Sequence, residues 1–295
     1  MSREIHYLLS HPPHGAFLAV SIRALRNVWD GPIHVHGWPH TGAWEIVEAI
    51  GNDARLRVTA HRREPEFRGR SDHLLDKIKI MSEIYGVQSA VLLDADTIPV
   101  YPPDELFEQA EQWGYVVTQF CNWQTTSSII RNRVRRLLQF DALDKQLIQA
   151  VLECAYPSPN VGVFGTVPGS PVIPVWFEWS FVSREVYIAD ESAMQALLPE
   201  FMRRGEATIV DGRWNCSTMR FQHVPDEEVK LWHGHGNSFI RKDKSPKGFA
   251  MWWALYQDAL AQDIGGMQSW IHKISSKHFR KLGRIWTDSL GGACA

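Results

Sequence analysis

The stretch AVLLDADTIPV, residues 90–100, decides the fold and points to its chemistry. Its apolar run, residues 90–93, predicts a buried strand. Asp94 and Asp96 follow directly, two positions apart in extended chain. Because a charge near a core costs several kcal/mol unless something pairs with it, this strand end requires a cation or another partner.

The hydrophobic period alternates between strand-like and helix-like on both sides of this stretch. The predicted strands are 5–9, 32–38, 56–58, 115–120, 160–167, 207–214 and 229–236, and the predicted helices are 18–25, 44–50, 74–84, 105–113, 174–186 and 190–205. Such alternation indicates an α/β fold with a mainly parallel sheet flanked by helices. Ligands bind beyond the carboxyl ends of the strands in such sheets, which is where Asp94 and Asp96 lie.

Two helical patterns within about 125–155 interrupt the alternation and predict an insertion that forms one wall of a cleft. We expect a main domain over 1–245 that includes this insertion, followed by a helical extension over 246–295. Trp123, Arg131 and Arg135 are candidate acceptor contacts on the insertion.

Composition excludes several classes of protein. The chain has 295 residues, 44% of them hydrophobic and 22% charged, which is enough to bury a sizeable core. A net charge of −2 gives no reason to expect a nucleic-acid partner. The four cysteines are far apart and form no C-x-x-C pair, which argues against a zinc cage or a disulfide framework and favours a reducing, cytoplasmic location. No signal peptide or membrane-spanning run is expected.

The segment 268–288 has an apolar stripe at helical spacing and an excess of lysine and arginine. Two interpretations stay open. The helix would contact an anionic membrane surface or a lipid-linked acceptor peripherally, or it would dock on the main domain with its basic face solvated.

The paired aspartates suit one hard divalent cation, Mg²⁺ or Mn²⁺, whose remaining coordination positions would be open to substrate phosphates. The sequence therefore predicts a diphosphate site. The alternative is structural, because short acidic pairs at strand ends also form turns and cap helices.

His233 is a further candidate ligand, because it ends another predicted strand and is followed by two glycines, Gly234 and Gly236. Glycine lets a phosphate approach backbone N–H groups closely. The alternative is an ordinary surface or core histidine. The N-terminal histidines have spacings that suit no metal cage, and we expect most of them to be ordinary loop or strand-end residues; they are His6, His11, His14, His34, His36 and His40.

The order of these motifs resembles the retaining GT-A glycosyltransferases of family 8, the group of glycogenin and bacterial lipopolysaccharide galactosyltransferases. The matching segments, spread over roughly residues 5–240, are DKIKI (76–80), LLDADTI (92–98), NVGVF (160–164), ADESAMQALL (189–198) with DGRWN (211–215), and WHGHG (232–236). The resemblance implies a GT-A, Rossmann-like fold. It also implies transfer of a sugar from a nucleotide-sugar donor, by default a UDP-sugar, to a saccharide or glycoconjugate acceptor, with retention.

The same resemblance implies roles for individual residues. Asp94, Asp96 and His233 would hold Mn²⁺ or Mg²⁺ against the donor diphosphate, with Asp94 also near the ribose and donor sugar. Lys77 would lie near the donor sugar and phosphates, and Gly236 completes the family's H-x-x-G motif at the cofactor.

Five more residues are implied around the sugar. Asn160 would face the sugar hydroxyls. Asp190 and Glu191 match an Asp-Gln pair, in which the first residue contacts the donor sugar and the second lies by the anomeric carbon. Both are also well placed to cap a helix and to occupy its first turn. Trp214 and Asn215 would help to line the sugar and acceptor cleft.

The chain departs from the family pattern in three places. Glu191 replaces a glutamine, which adds charge beside the reacting carbon. Phe239 stands where a lysine is usual, with Arg241 and Lys242 slightly later. The loop SHPPHGAF (10–17) lacks the family's usual acidic or hydroxyl pattern around the nucleotide base.

Other functions are compatible with parts of the sequence. The motif also fits a haloacid-dehalogenase-like Mg²⁺-dependent phosphohydrolase with Asp94 as nucleophile and Asp96 as general acid, although there it normally closes the first strand. A nucleotidyltransferase would need a glycine-rich, arginine-containing N-terminal loop, which the sequence lacks. A sugar-binding domain without catalysis is the third alternative, and release of free nucleotide would distinguish it from a transferase.

Overall fold

The computed structural model describes residues 2–66, 72–119, 128–154, 156–217, 224–235, 239 and 245–271. Its strands are β1 (Arg3–Leu9), β2 (Ile33–Gly37), β3 (Val58–Arg62), β4 (Ser89–Leu93), β5 (Thr97–Pro99), β6 (Tyr115–Gln119), β7 (Pro159–Thr166), β8 (Thr208–Val210), β9 (Cys216–Ser217) and β10 (Leu231–His233). Its α-helices are α1 (Gly15–Arg26), α2 (Ala43–Gly51), α3 (Asp72–Ser82), α4 (Asp104–Trp113), α5 (Ser128–Arg135), α6 (Lys145–Glu153), α7 (Val172–Val182), α8 (Ala189–Arg203), α9 (Pro246–Ala261) and α10 (Met267–Trp270). Short 3₁₀ turns lie at Pro12–His14, Pro39–Thr41, Arg136–Gln139, Gly212–Trp214, Asp226–Glu228 and Ile264–Gly266.

The main sheet has seven strands in the order β3-β2-β1-β4-β7-β6-β8. β1, β2, β3 and β4 pair in parallel, as do β6 and β8, whereas β7 runs antiparallel to both of its neighbours. The predicted mainly parallel α/β sheet is confirmed. A second sheet of three strands, in the order β5-β10-β9, was not predicted.

Helices cover both faces of the main sheet and create two apolar layers. Val91 and Leu93 of β4 face the layer that contains α1, α2, α4 and α9, and Leu92 faces the layer that contains α3, α7 and α8. All five residues of β4 are buried. A strand covered on both faces has no polar side, which explains the unbroken apolar run before Asp94.

The predicted helical insertion consists of α5, a 3₁₀ turn and α6. Asp144 caps α6 by accepting hydrogen bonds from the backbone N–H groups of Gln146 and Leu147. Ile130 of α5 and Ile148 of α6 are buried in the layer shared with α8. The insertion therefore packs on the helix that carries Asp190 and Glu191.

The C-terminal helices join the core of the main sheet. Trp252 and Tyr256 of α9 belong to the apolar layer of α1, and Trp252 packs 5.0 Å from the ring of Phe17. The boundary at residue 245 stays a prediction about domains, but its two sides share one core. None of the described helices is long and apolar enough to span a bilayer. The predicted amphipathic segment 268–288 lies outside the described residues beyond Ile271.

Four histidines on β1, β2 and β3 form a histidine cluster, defined as His6, His34, His36 and His61. The parallel register places His6 beside His34 and His36 beside His61. His6 Nδ1 lies 3.2 Å from His36 Nε2, and His34 Nδ1 lies 2.9 Å from His61 Nε2. The expectation of ordinary loop or strand-end residues does not hold for His6, His34 and His36, which lie within β1 and β2. They meet because neighbouring parallel strands align positions that are far apart in sequence.

Candidate functional site

The loop after β4 is held by a buried chain of hydrogen bonds. Thr97 Oγ1 donates to the carbonyl of Asp94 at 2.8 Å and lies 3.1 Å from Ser21 Oγ, which in turn lies 3.0 Å from Tyr7 Oη. The backbone N–H of Asp94 donates to the carbonyl of Gly162 on β7 at 2.7 Å. These bonds fix the backbone from which the carboxylates of Asp94 and Asp96 project.

The second sheet brings His233 to this loop. β10 pairs antiparallel with β5, so that His233 lies opposite Thr97. The N–H of Gly234 also donates to the carbonyl of Asp96 at 2.7 Å. His233 Nε2 then lies 3.2 Å from Asp96 Oδ1 and 3.9 Å from Asp94 Oδ2. Among the described residues, these three form the group whose ligand atoms all lie within 4.8 Å of one another.

Asn215 orients the imidazole of His233. Its Nδ2 donates to Thr118 Oγ1 at 2.6 Å and to Asn160 Oδ1 at 2.9 Å. Its Oδ1 is therefore left to accept a hydrogen bond from His233 Nδ1 at 2.9 Å. Nδ1 thus donates to Asn215, and Nε2 is the nitrogen that faces the carboxylates.

The charges within the cluster stabilise one another. Burial would lower the pKa of His233, but the carboxylates of Asp96 and Asp94 outweigh burial and raise it. Burial would raise the pKa of Asp96, but the charge of His233 holds it well below its usual range. The arrangement thus stabilises negative charge on Asp96 and requires positive charge beside it.

The donor atoms fit a divalent cation. Two carboxylates and one imidazole suit Mn²⁺ and Mg²⁺, which prefer oxygen-rich ligand sets and keep positions open for phosphates. Gly162 leaves room for the two ligand groups, since a Cβ added there would lie 2.4 Å from His233 Cε1 and 2.7 Å from Asp94 Oδ2. Any side chain at position 162 would displace these two ligand groups.

Lys77, on α3, joins this cluster to α8. Its Nζ lies 3.0 Å from Asp94 Oδ1 and 4.0 Å from Asp190 Oδ2. Burial would lower the pKa of Lys77, but Asp94 and Asp190 raise it, so that the ammonium group keeps its charge. A buried lysine charge beside the carboxylates can bind a second anion, such as a phosphate.

Asp190 and Glu191 lie in the first turn of α8 and are both buried. The Asp190 Oδ1 atom is buried without a hydrogen-bond partner. Burial raises the pKa of Asp190, with Lys77 opposing. Burial, followed by the charge of Asp190, raises the pKa of Glu191 to about 7. An unpaired buried carboxyl oxygen is costly unless a ligand supplies its partner.

A cavity of about 570 Å³ connects these groups. Seven predicted site residues line it: Lys77, Asp94, Asp96, Asn160, Asp190, Glu191 and His233. His73 and Tyr187 line it as well and were not predicted. Tyr187 is 64% exposed in a loop before α8, where no sequence pattern marked it.

Other predicted residues lie elsewhere. Trp214 is buried and donates through Nε1 to Glu105 Oε2 at 2.9 Å, and Asn215 is buried beneath His233. Neither is among the described residues that line the cavity. Gly236, Trp123, Arg241 and Lys242 lie outside the described residues.

Two sequence features have structural explanations. Phe239, where the family has lysine, is buried, and its ring lies 6.4 Å from that of Phe17. It is therefore a core residue. On α5, Arg135 is exposed and donates to Asn132, whereas Arg133, which the sequence pattern did not single out, contacts Glu191 at 3.3 Å.

The fold is shared with solved structures of glycosyltransferases. No protein-family profile and no curated protein matches the sequence. The galactosyltransferase LgtC, in complex with donor and acceptor sugar analogues, superposes with a TM-score of 0.59 at 13% identity, over 86% of this chain and 95% of that one. Mouse xyloside xylosyltransferase 1 superposes with a TM-score of 0.56 at 14% identity, over 80% of this chain and 99% of that one. The bifunctional glycosyltransferase WbbM superposes with a TM-score of 0.55 at 10% identity, over 87% of this chain and 51% of that one. The chain thus has the GT-A fold that the sequence predicted.

Proposed function

We propose that this protein is a metal-dependent glycosyltransferase that moves a sugar from a nucleotide-sugar donor, by default a UDP-sugar, to a saccharide or glycoconjugate acceptor, with retention. The observation that carries the proposal is the convergence of Asp94, Asp96 and His233 from two sheets at the edge of one cavity. Fold alone does not define function, so the chemistry of this site carries the inference.

The structural neighbours support the same class of reaction. They include a galactosyltransferase with bound donor and acceptor sugar analogues and a xylosyltransferase. A further neighbour is an LgtC active-site mutant in which glutamine is replaced by glutamate. Glu191 is this chain's own glutamate at the position where the family pattern has glutamine. Retention of configuration is proposed from the family resemblance.

In the proposed site, Asp94, Asp96 and His233 Nε2 hold Mn²⁺ or Mg²⁺. Such an ion, when bound, neutralises the negative charge on the diphosphate. Lys77 adds a second positive charge for the same group and is held in place by Asp94. Gly236 is proposed to let the diphosphate approach backbone N–H groups closely, because glycine has no side chain.

The sugar is proposed to lie between Asn160, Asp190 and Glu191. Asp190 Oδ1, buried and unpaired, would accept a hydrogen bond from a sugar hydroxyl. The bond between the anomeric carbon and the diphosphate oxygen breaks with its electron pair on the diphosphate. The acceptor oxygen bonds to the anomeric carbon, and its proton passes to the departing phosphate. Positive charge on the sugar ring is stabilised by the carboxylates of Asp190 and Glu191.

The phosphohydrolase alternative is disfavoured by the architecture. Asp94 follows β4, with three strands before it in the chain, and it forms an ion pair with Lys77 at 3.0 Å. An aspartate held by a lysine and placed opposite an imidazole is better arranged for metal ligation than for nucleophilic attack. Trp214 and Asn215 stay predictions as acceptor-cleft residues, as do the cytoplasmic location and the peripheral membrane contact of 268–288.

The test is a screen of sugar nucleotides with added Mn²⁺ that measures thermal stabilisation and nucleotide release together. We expect one donor to raise the melting temperature only with the metal present and to release free nucleotide. The proposal is wrong if no sugar nucleotide stabilises the protein with Mn²⁺ or Mg²⁺. Stabilisation without nucleotide release, with a panel of saccharide acceptors supplied, would instead indicate the non-catalytic sugar-binding domain.

A further inference from the structure

The carboxyl group of Glu191 is surrounded by hydrogen-bond donors. Arg133 Nη1 lies 3.3 Å from Oε1, and Asn160 Nδ2 lies 3.3 Å from Oε2. The orientation of the Asn160 amide is determined by its other bonds, because its Oδ1 accepts from the N–H of Gly162 at 3.0 Å and from Asn215 Nδ2 at 2.9 Å. Since guanidinium has no acceptor, both contacts require Glu191 to accept. This geometry fits the carboxylate form.

Arg133 is the cation that favours this form and opposes the effect of burial. The Glu191 side chain is only 9% exposed and directly follows the buried Asp190, and both features favour a neutral carboxyl group. Lys77 is engaged with Asp94 and Asp190. His233 acts on Glu191 only at longer range, so that Arg133 is the positive group in direct contact among the described residues.

The position of Arg133 is built into the fold. Its guanidinium carbon lies 5.4 Å from the ring centre of Tyr187, which precedes α8, and α5 packs on α8 through buried apolar residues such as Ile130 and Val134. Arg133 therefore lies between an aromatic ring and a carboxylate. The insertion contributes a charge to the site as well as a wall.

We propose that Arg133 is a positioning residue that favours the carboxylate form of Glu191 beside the donor sugar, and that the rate of sugar transfer depends on it. The proposal rests on the proposed glycosyltransferase function. A glutamine at position 191 would need no such partner, since a neutral amide has no charge to balance. The arginine and the glutamate thus form one functional unit of this chain.

The first test measures the charge of Glu191 without any substrate. The side-chain carboxyl groups are labelled with ¹³C and titrated by NMR, and the Glu191→Gln variant identifies the signal. Arg133→Met should raise the titration midpoint by at least about one pH unit, a tenfold change in the ratio of ionised to neutral carboxyl at a given pH. Arg133→Lys should leave the midpoint near that of the wild type. The control is Arg135→Met, because Arg135 is exposed on the same helix and contacts Asn132 instead.

The second test measures nucleotide release in a double-mutant cycle. Arg133→Met should lower kcat about fivefold at pH 7 and about tenfold at pH 5, move the acidic limb of the pH profile upward and leave KM for the donor within about threefold. In the Glu191→Gln background, which lacks this limb, the same replacement should have no further effect. Equal loss in both backgrounds, or an unchanged Glu191 midpoint in the first test, overturns the proposal.

The two tests separate two kinds of failure. If Arg133→Met moves the midpoint but no sugar nucleotide is turned over by the wild type, the proposed function is wrong and the link between Arg133 and Glu191 stands. Should Arg133→Met fail to fold, Arg133→Gln repeats both measurements with a polar side chain of similar length.

Discussion

The site formed by Asp94, Asp96 and His233 and the histidine cluster on β1, β2 and β3 differ in their ratio of acid to imidazole. The site has two carboxylates for one imidazole, and the pKa of His233 is raised because those carboxylates outweigh its burial. The histidine cluster has four imidazoles and one neighbouring carboxylate, that of Glu4, at 3.3 Å from His34. Burial and then His6 lower the pKa of His34 to about 4.

This difference separates a cation site from a packed polar cluster. Excess negative charge attracts a hard divalent cation, whereas the four imidazoles contact one another in two pairs, His6 with His36 and His34 with His61, and provide no such excess. Histidine content alone therefore does not identify the functional site. The carboxylates around each imidazole determine what it can do.

The largest expected effect comes from Asp96→Ala. Removal of one of two carboxylate ligands should lower Mn²⁺ affinity at least about 100-fold and abolish metal-dependent donor binding with the fold intact. Isothermal titration with Mn²⁺, with and without the nucleotide diphosphate, measures this. Asp141→Ala is the control, because Asp141 is a fully exposed aspartate that pairs with Lys145 and does not line the cavity. Unchanged binding by Asp96→Ala would remove Asp96 from the metal site.

A smaller effect is expected from Asn215→Ala, which removes the acceptor for His233 Nδ1. We expect Mn²⁺ affinity to fall about 10- to 100-fold because the ring loses its fixed orientation. Thr118→Val is the matched control, since it removes another partner of the same Asn215 amide and leaves the bond to His233. It should reduce the free energy of unfolding with little change in Mn²⁺ affinity. Equal losses of affinity in both variants would contradict the orienting role.

The histidine cluster should instead control the pH dependence of stability. The pKa of His34 lies near 4 in the folded protein and near 6.5 in an unfolded chain. Above pH 6.5 both states are neutral and stability is complete. Below it the unfolded state binds protons that the folded state does not, so stability falls as the pH drops toward 4.

Between pH 7 and pH 5 we expect a loss of roughly 1–2 kcal/mol of unfolding free energy from His34. Urea denaturation at each pH measures the loss. The variant His34→Gln should show a shallower slope, because its amide does not titrate in this range. An identical slope in the two proteins would show that His34 does not contribute.

The smallest expected effect tests whether the histidine cluster contributes to Mn²⁺ binding. His34→Gln should leave Mn²⁺ affinity within about twofold of the wild-type value, since Glu4 is the one carboxylate beside the histidine cluster among the described residues and Mn²⁺ prefers an oxygen-rich ligand set. Isothermal titration under the conditions used for Asp96→Ala checks this. A tenfold loss would mean that the histidine cluster also contributes to metal binding.

Part of the site could be predicted from strong local signals, and the roles of Lys77, Asn160, Asp190 and Glu191 were predicted from the family resemblance. Asp94 and Asp96 end a strand with an unbroken apolar run, and Asp190 and Glu191 begin a helix. Such signals arise from contacts between residues close in sequence, and the hydrophobic periodicity of the sequence reveals them. Arg133 had no such signal. Its neighbours Arg131 and Arg135 are equally basic, and only the packing of α5 on α8 decides which arginine reaches Glu191.

The histidine cluster and the second sheet were missed for the same reason. Thr97 and His233 are far apart in the chain, and their pairing through β5 and β10 leaves no period in either segment. The sequence also does not reveal that β7 runs antiparallel to its neighbours, since a fully buried strand has the same apolar pattern in either direction.

The sequence by itself determined the alternation of strands and helices, the buried strand β4 and the acidic pair at its end, because the 2.0 and 3.6 residue periods and the cost of buried charge act locally. The family resemblance had already associated His233 with that pair, and the tertiary structure showed that the pairing of β5 with β10 brings it there. The tertiary structure alone decided that Arg133 faces Glu191 and that four histidines meet. These residues are far apart in sequence, and no hydrophobic periodicity marks their contacts. The contacts form only when strand register and helix packing are fixed.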